Sequence, residues 1–135
     1  MLAAEHPWEA DMGESRLGHV VWQDLTVADA ERLKSFYCDV MGWRAEPVDM
    51  GGYADFSLLA PDGQGVAGVC HARGPNAQLP PQWLLYVEVP DVARSLERCV
   101  EAGGRVIDGP RGVGPRTFAV IQDPAGAVIG LISPE

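Results

Sequence analysis

The sequence predicts an α+β fold in which two βαβββ modules form an open, curved, eight-stranded sheet shaped like a cup. Three observations predict it. A strand–helix–glycine pattern begins at Trp22, and a weaker copy of it begins at Leu84. A stretch rich in Pro and Gly, residues 73–81, lies between the copies and is interpreted as a linker. One spacing of 62 residues separates Val27 from Val89, Asp29 from Asp91, Arg32 from Arg94 and Gly42 from Gly104, which indicates an internal duplication.

Module one, residues 18–72, opens with a predicted strand at residues 19–25, in which Trp22 and Asp24 share one face. Asp29 is a predicted N-cap. The helix after it is predicted from a stripe of apolar residues at helical spacing, which is Ala30, Leu33, Phe36, Tyr37, Val40 and Met41. Gly42 is expected to end this helix. Three short strands are predicted after it, at residues 44–48, 53–60 and 64–71.

Module two, residues 82–135, repeats this order. A strand is predicted at residues 83–89, and a helix follows Asp91 with Val92, Leu96, Cys99 and Val100 on one stripe. The remaining elements are predicted as strands at residues 105–108, 116–122 and 127–133, with a glycine-rich loop at 110–115. Residues 1–17 show no period and are interpreted as an N-terminal arm, so one domain covers residues 18–135.

Composition and charge restrict the kind of partner. The chain has 135 residues, 47% of them hydrophobic, and a formal net charge of -9. Such an acidic chain is repelled by phosphate backbones and anionic lipid, so neither nucleic acid nor a membrane surface is an expected partner. The three cysteines show no paired spacing, and the N-terminus lacks the features of a signal peptide, so a cytoplasmic location is expected.

Several motifs resemble the vicinal-oxygen-chelate superfamily, the group of glyoxalase I, bleomycin-resistance proteins and extradiol dioxygenases. They extend over residues 18–135. In module one they are Trp22 with Asp24-Leu25, Asp29, Phe36-Tyr37 and Gly42-Trp43. In module two they are Gly103-Gly104-Arg105-Val106, Gly109-Pro110 and Asp123-Pro124-Ala125-Gly126-Ala127. These are scaffold motifs. The resemblance implies the cup fold, a small-molecule ligand and a homodimer, and edge strands that need covering also favour a dimer.

The resemblance also implies where a metal would bind in members that use one. Its ligand positions correspond to Trp22 on the first strand, Leu84 on the fifth and Gly130 on the eighth, with one more on the fourth strand among residues 66–70. A divalent cation needs nitrogen, oxygen or sulfur donors, and none of these three side chains supplies one. The sequence therefore resembles a metal-less branch of the superfamily, and neither a metal nor another cofactor is expected.

The candidate catalytic residues are Asp24, Tyr86 and Glu88. Strand alternation places Asp24 beside Trp22, and places Tyr86 and Glu88 on the same face as Leu84. A carboxylate beside an apolar indole has a raised pKa and can act as a general acid or base. The alternative is that Asp24 and Glu88 lie near strand ends, where they are solvated or cap a turn.

The candidate ligand-binding residues follow from position and chemistry. Trp22, Tyr53 and Trp83 can stack on a flat molecule, although each can equally belong to the core or to a subunit contact. Arg116, like Arg111 at the other end of the glycine-rich loop, can hold an anionic group or remain solvated. Leu84 and Gly130 are included because they occupy metal-ligand positions of the superfamily. An unreactive thiol is expected at Cys70.

Two classes of function remain open. The first is a metal-independent, glyoxalase-like enzyme of the lyase or isomerase type, in which Asp24, Tyr86 or Glu88 transfers a proton. The second is a protein that binds or sequesters a small molecule or antibiotic without turnover, as bleomycin-resistance proteins do. A third and weaker hypothesis is a metalloenzyme whose ligands have moved to His19, His71 and Glu88.

Overall fold

The computed structural model describes residues 15–135, so the predicted arm at residues 1–17 lies almost entirely outside the described part. The described residues form eight strands and two helices. A short 3-10 turn, Gly74–Asn76, lies in the predicted linker. The strands are β1 (Val20–Val27), β2 (Arg44–Asp49), β3 (Ala54–Leu59), β4 (Gly65–His71), β5 (Trp83–Glu88), β6 (Arg105–Val113), β7 (Arg116–Gln122) and β8 (Val128–Ile132), and the helices are α1 (Ala30–Met41) and α2 (Val92–Glu101).

All eight strands belong to one sheet with the order β2-β3-β4-β1-β5-β8-β7-β6. In each module the first strand pairs in parallel with the last, β1 with β4 and β5 with β8. The two modules meet in the middle of the sheet, where β1 and β5 run antiparallel. This is the predicted α+β fold, two βαβββ modules in an open eight-stranded sheet, and the prediction is confirmed.

Both helices begin in the same way. The carboxylate of Asp29 accepts a hydrogen bond from the backbone N–H of Arg32 at 3.1 Å, and that of Asp91 accepts one from Arg94 at 3.1 Å. Each aspartate therefore satisfies a backbone donor that the first helical turn leaves without a partner. At the other end of α1, Gly42 adopts φ 72° in the left-handed region, which glycine reaches without steric cost. The predicted caps and the glycine stop are thus part of the fold.

The helices cover one face of the sheet, which we call the outer face. Under α1, Ala30 packs against a fully or nearly buried group from β3 and β4, which is Phe56, Leu58, Ala67 and Val69. Under α2, Val92 and Leu96 pack against Ala119 of β7 and Leu131 of β8. Burying a Leu or Phe side chain contributes about 2 kcal/mol, so these two clusters account for much of the stability of the outer face.

The prediction of a glycine-rich loop at residues 110–115 is wrong. Strand β6 continues to Val113, and it pairs with β7 as far as Arg116. The ladder shifts register between Asp108 and Arg111, and this irregularity accommodates Gly109 and the proline after it. Gly109 has φ 91°, and its missing Cβ leaves room for the β7 backbone. A proline is tolerated here because β6 is an edge strand.

Strand alternation directs a second set of side chains to the face that the helices do not cover. On β1, Leu25 is buried in the core and Val27 packs on the outer face, whereas Trp22, Asp24 and Thr26 line a cavity of about 530 Å³. We call this face the inner face.

Residues 15–135 contain no helix long and apolar enough to cross a membrane.

Candidate functional site

The cavity on the inner face combines aromatic walls with ionisable groups. Trp22 of β1, Tyr86 of β5 and Phe118 of β7 are its aromatic residues, and Met50 and Leu79 add apolar surface. Its ionisable side chains come from six strands and are Asp24, Asp55, Cys70, Tyr86, Asp108, Arg111 and Arg116. A cavity of this size, with a few polar groups among apolar ones, is typical of a small-molecule site.

Asp24 is the carboxylate most strongly altered by its surroundings. Its pKa is raised from 3.8 to about 6, mainly because burial removes water from the charged form, with a smaller contribution from the nearby Asp55 carboxylate. The indole N–H of Trp22 donates a hydrogen bond to Asp24 Oδ1 at 2.6 Å, which opposes these effects by stabilising the ionised form. Asp24 therefore changes charge close to physiological pH.

Two glycines make room for the catalytic candidates. Gly68 of β4 pairs with Asp24, and a Cβ on it would collide with Asp24 Oδ1. Gly130 of β8 pairs with Tyr86, and a Cβ there would collide with the Tyr86 ring. The pairs are repeat-equivalent, because the spacing of 62 residues relates Asp24 to Tyr86 and Gly68 to Gly130. Each module thus places one candidate catalytic side chain over a glycine of its last strand.

The residues at the ligand positions that the resemblance implies do not fit a metal. Leu84 and Gly130 offer no donor atom, Trp22 offers an indole, and β4 has Gly68 in this part of the sheet. The Asp24 carboxylate and the Tyr86 ring fill the space where side chains of the two glycines would project. Among residues 15–135, no three His, Cys, Asp or Glu side chains form a group that could hold an ion. The chemistry of this cavity is therefore best explained by its own side chains.

The alternative ligand set of His19, His71 and Glu88 is dispersed in the structure. His71 Nδ1 lies 3.3 Å from Asp55 Oδ1. Glu88 Oε1 instead accepts a hydrogen bond from Arg116 at 2.9 Å. The two side chains are therefore engaged with different partners on different strands, which does not support the metalloenzyme hypothesis.

Asp55 and Cys70 form the polar end of the cavity beside Asp24. Asp55 is buried and accepts a hydrogen bond from the backbone N–H of His71 at 2.9 Å. Burial raises the pKa of the Cys70 thiol, and the negative charges of Asp24 and Asp55 raise it further. A thiolate is thus disfavoured, so Cys70 is a protonated, weakly reactive wall residue.

Both arginines of the cavity are already paired with carboxylates. Arg111 binds Asp108 in a two-point contact, with Nε to Oδ1 at 3.1 Å and a terminal nitrogen to Oδ2 at 2.7 Å. Arg116 donates to Glu88 at 2.9 Å and also to the Ser133 carbonyl at 2.8 Å. Such paired geometry fixes the guanidinium groups and neutralises their charge.

Tyr86 has a protonated phenol over the whole physiological range. Burial raises its pKa, and Asp24, Cys70 and Asp108 raise it further, while Arg111 opposes them. Its ring meets Phe118 edge to face, with centroids 6.2 Å apart, and covers Gly130. The phenol can donate a hydrogen bond but is unsuited to act as an ionised base.

Four of the nine predicted site residues line the cavity, which are Trp22, Asp24, Tyr86 and Arg116. Trp83 does not line the cavity, and the structure shows the core position that was left open for it. It lies on the outer face, where its indole N–H donates to the Tyr37 hydroxyl at 3.1 Å and its ring packs against Trp43. Alternation requires this, since Leu84 and Tyr86 point the other way. Tyr53 does not line the cavity, and the Arg73 guanidinium lies over its ring at 3.8 Å.

Leu84, Gly130 and Glu88 lie on the inner face beneath the surface that a ligand can reach. Leu84 is 0% exposed, in a cluster with Leu79 and Tyr86, so its expected contact with a ligand is corrected. Gly130 is covered by the Tyr86 ring, and Glu88 lies behind Arg116. The alternative in which Asp24 and Glu88 are solvated or cap turns does not match their partly buried side-chain hydrogen bonds to Trp22 and Arg116.

Asp55 and Asp108 are cavity-lining residues that were not predicted from the sequence. Both are buried acidic residues within strands, and a buried carboxylate normally has a partner. Asp55 alternates with the outer-face residues Phe56 and Leu58 in a pattern that assigns it to the inner face. That alternation is a signal present in the sequence. Asp108 depends on the register shift in β6, which no local pattern reveals.

Trp22→Phe is expected to raise the pKa of Asp24 above its present value of about 6. The phenyl ring keeps the apolar wall but lacks the N–H that donates to Asp24 Oδ1, so the ionised form loses stabilisation. A ¹³C NMR titration of the aspartate carboxyl groups measures the change. An unaltered or lower pKa would show that the indole does not stabilise the carboxylate.

Comparison with protein families gives a match over most of the chain. Residues 16–131 match the family described as the Glyoxalase/Bleomycin resistance protein/Dioxygenase superfamily. Curated relatives from Mycobacterium tuberculosis and Mycobacterium bovis, each named "Putative glyoxylase CFP32", are 25% identical over 118 residues. The aligned part is 87% of this chain but 44% of each relative, so the chain spans less than half of their length.

Solved structures share the fold at low sequence identity. A hypothetical protein from Bacillus halodurans, BH1468, superposes with a TM-score of 0.57 and 12% identity over 87% of this chain and 95% of its own. Methylmalonyl-CoA epimerase from Mycobacterium tuberculosis superposes with a TM-score of 0.53 and 20% identity over 90% of this chain and 91% of its own. At these identities the comparison shows the architecture alone.

Proposed function

We propose a function for this chain from the premise that it belongs to the Glyoxalase/Bleomycin resistance protein/Dioxygenase superfamily. The family match confirms the resemblance found in the sequence motifs. In our proposal the chain binds a small organic molecule in the inner-face cavity and transfers a proton through Asp24 without a metal. The reaction class we propose is of the lyase or isomerase type. This proposal concerns the present chain alone and not the whole activity of the longer relatives.

The observation that carries this proposal is the environment of Asp24. A general base works best when its pKa lies near the working pH, and burial raises that of Asp24 to about 6. At neutral pH most of the carboxylate is ionised, so it can accept a proton and, once protonated, return it. The Trp22 N–H holds Oδ1, and no hydrogen bond to Oδ2 is shown from the described residues, so Oδ2 is the oxygen we assign to the substrate.

Tyr86 completes the proposed mechanism. Asp24 takes a proton from a carbon beside a substrate carbonyl, and the electron pair of the broken C–H bond moves to the carbonyl oxygen. The protonated phenol of Tyr86, which lines the same cavity, donates a hydrogen bond to that oxygen as charge develops. Return of the proton to carbon then gives the product. Arg116 is held by Glu88, to which we assign a positioning role.

A second candidate function is binding without turnover, as in sequestration of a small molecule or antibiotic. The hydrogen bond from Trp22 already satisfies one Asp24 oxygen, and Cys70 and Tyr86 remain protonated, so the cavity can serve as a binding wall alone. Sequestration predicts one bound ligand for each cavity with no chemical change. An assay of deuterium exchange separates the two functions, because it detects a broken C–H bond.

The proposed function is tested by proton exchange. Protein treated with a chelator is incubated in D₂O with a panel of small carbonyl compounds, and deuterium incorporation is followed by mass spectrometry. We expect incorporation into at least one compound at a rate that the chelator leaves unchanged. Exchange that requires added divalent metal would contradict metal independence. Binding without exchange in any compound of the panel would favour sequestration.

A homodimer, the absence of a nucleic-acid partner and a cytoplasmic location remain proposals. The edge strands β2 and β6 support an additional contact, because unpaired strand edges are usually covered. The net charge of -9 disfavours binding to phosphate backbones. The three cysteines are unpaired, as is usual in a reducing compartment.

A further inference from the structure

We propose that the ligand of the inner-face cavity carries a cationic amine, which lies against the Asp24 carboxylate and the aromatic wall formed by Trp22 and Tyr86. This inference rests on the proposed function in that it concerns the same cavity, and it adds the chemical class of the ligand. It follows from the pairing of both cavity arginines with carboxylates and from the aromatic residues beside the Asp24 carboxylate, which has no arginine or lysine partner.

The positive charges of the cavity are already neutralised. Arg111 is bound at two points by Asp108, and Arg116 is bound by the buried Glu88. An anionic ligand would have to displace one of these carboxylates or share its guanidinium. Breaking a buried ion pair is costly because the remaining charge lacks a partner. The arginines are therefore poor primary sites for an anion.

Two other carboxylates of the cavity, those of Asp24 and Asp55, have no such partner. Among residues 15–135, neither Asp24 nor Asp55 forms an ion pair with an arginine or a lysine. Asp55 contacts the backbone N–H and the ring of His71, whereas the hydrogen bond shown for Asp24 comes from the neutral indole of Trp22. A buried carboxylate is stabilised most by an opposite charge, and a cationic ligand would supply it to Asp24.

The aromatic wall selects the same kind of ligand. Trp22 and Tyr86 pair across β1 and β5, directly beside the pair formed by Asp24 and Leu84. The negative face of an aromatic ring attracts an ammonium group, and the attraction grows when water is excluded. The guanidinium of Arg111 already lies over Phe118, at 4.8 Å from the ring centroid, whereas Trp22 is only partly buried and lies beside Asp24.

The protonation of Asp24 makes this binding depend on pH. The ionisable groups around it are Asp55 on β3, Cys70 on β4 and Tyr86 on β5, and the Asp108–Arg111 pair on β6 lines the same cavity. A bound ammonium favours the ionised carboxylate, which is the form that accepts the proton in the proposed function. An alkylammonium keeps its charge below a pH of about 10. Affinity for an amine therefore falls as the pH drops below about 6.

Three probes of matched shape test the proposal, and they are phenethylamine, phenethyl alcohol and hydrocinnamate. Binding is followed by NMR through the Trp22 indole N–H resonance, which the Trp22→Phe variant assigns by its absence. A charged hydrogen bond in a partly buried site corresponds to an affinity ratio of about tenfold or more. We expect phenethylamine to bind at least about tenfold more tightly than the alcohol, and hydrocinnamate to bind most weakly.

Matched variants assign the effect to the cavity. Asp24→Asn is expected to remove the preference for the amine, whereas Glu101→Gln removes an equal charge at the exposed end of α2 and is expected to preserve it. Tighter binding of hydrocinnamate, or no shift with phenethylamine at millimolar concentration, overturns the amine proposal. The deuterium experiment decides the proposed function separately, because it detects proton transfer whatever the charge of the compound.

Discussion

Asp24→Asn is expected to stabilise the folded protein at neutral pH while it abolishes proton exchange. The pKa of Asp24 rises from 3.8 to about 6 in the folded state. Each tenfold change in a protonation equilibrium corresponds to about 1.4 kcal/mol, so the ionised carboxylate costs the fold up to about 3 kcal/mol. Asparagine keeps an oxygen for the Trp22 N–H and carries no charge, so it avoids most of this cost.

The contribution of Asp24 to the stability of the fold depends on pH, because its pKa is raised in the folded state. A carboxyl group whose folded pKa is raised contributes stability that is fully present below its unfolded pKa and is lost as the pH rises through its folded pKa. The wild-type protein should lose this contribution between a pH of about 4 and somewhat above 6, and the variant should not. Urea unfolding at a series of pH values measures the difference between the two proteins.

The same variant tests catalysis by Asp24. Loss of a positioned general base typically lowers a rate by about a hundredfold or more, so deuterium incorporation should fall by at least that factor. Glu101→Gln, which neutralises an exposed carboxylate, should alter unfolding by less than about 0.5 kcal/mol and leave exchange unchanged. An Asp24→Asn protein that is less stable at neutral pH, or that exchanges protons at the wild-type rate, would contradict the role given to this residue.

Gly130→Ala is expected to destabilise the protein by about 2 kcal/mol, a typical cost of overpacking a buried site. The added Cβ would lie closer than 3.0 Å to three carbons of the Tyr86 ring, a separation that real Cβ atoms essentially never show. That ring is 5% exposed and packs in a cluster with Leu79, Leu84 and Val120, so it cannot simply move into solvent. The free energy of unfolding in urea measures the loss.

Gly65→Ala is the matched control for this substitution. Gly65 lies in β4, and a Cβ there would meet its nearest atom, from Trp22, at 3.7 Å, which is ordinary van der Waals contact. Neither glycine has a positive φ, so backbone strain does not separate the two variants. We expect Gly65→Ala to change stability by less than about 0.5 kcal/mol. Equal losses of stability in the two variants would show that a collision with the Tyr86 ring does not cause the loss at Gly130.

Much of the fold could be predicted because its signals are local and repeated. Asp29 and Asp91 cap the two helices in the same way, and the spacing between them is also that between Asp24 and Tyr86. Capping needs only a short side chain at one position, and a duplicated pattern makes each half evidence for the other. The order of strands and helices followed from these features.

The parts that could not be predicted depend on contacts between distant strands. The register shift that carries β6 past Gly109 arises from pairing with β7, and no local pattern contains it. The pairing of Arg116 with Glu88 joins residues of β7 and β5. Trp83 is a different case, because strict alternation from Tyr86 already assigns it to the outer face, where it contacts Tyr37.

The pKa of Asp24 in the unliganded protein tests the central claim most directly, namely that the inner-face cavity supplies a group able to transfer a proton near neutral pH. A ¹³C NMR titration of the wild-type protein should give a value of about 6, well separated from those of exposed aspartates. A value at or below 3.8 would contradict the claim, because Asp24 would then be an ordinary ionised carboxylate with no special capacity as a base.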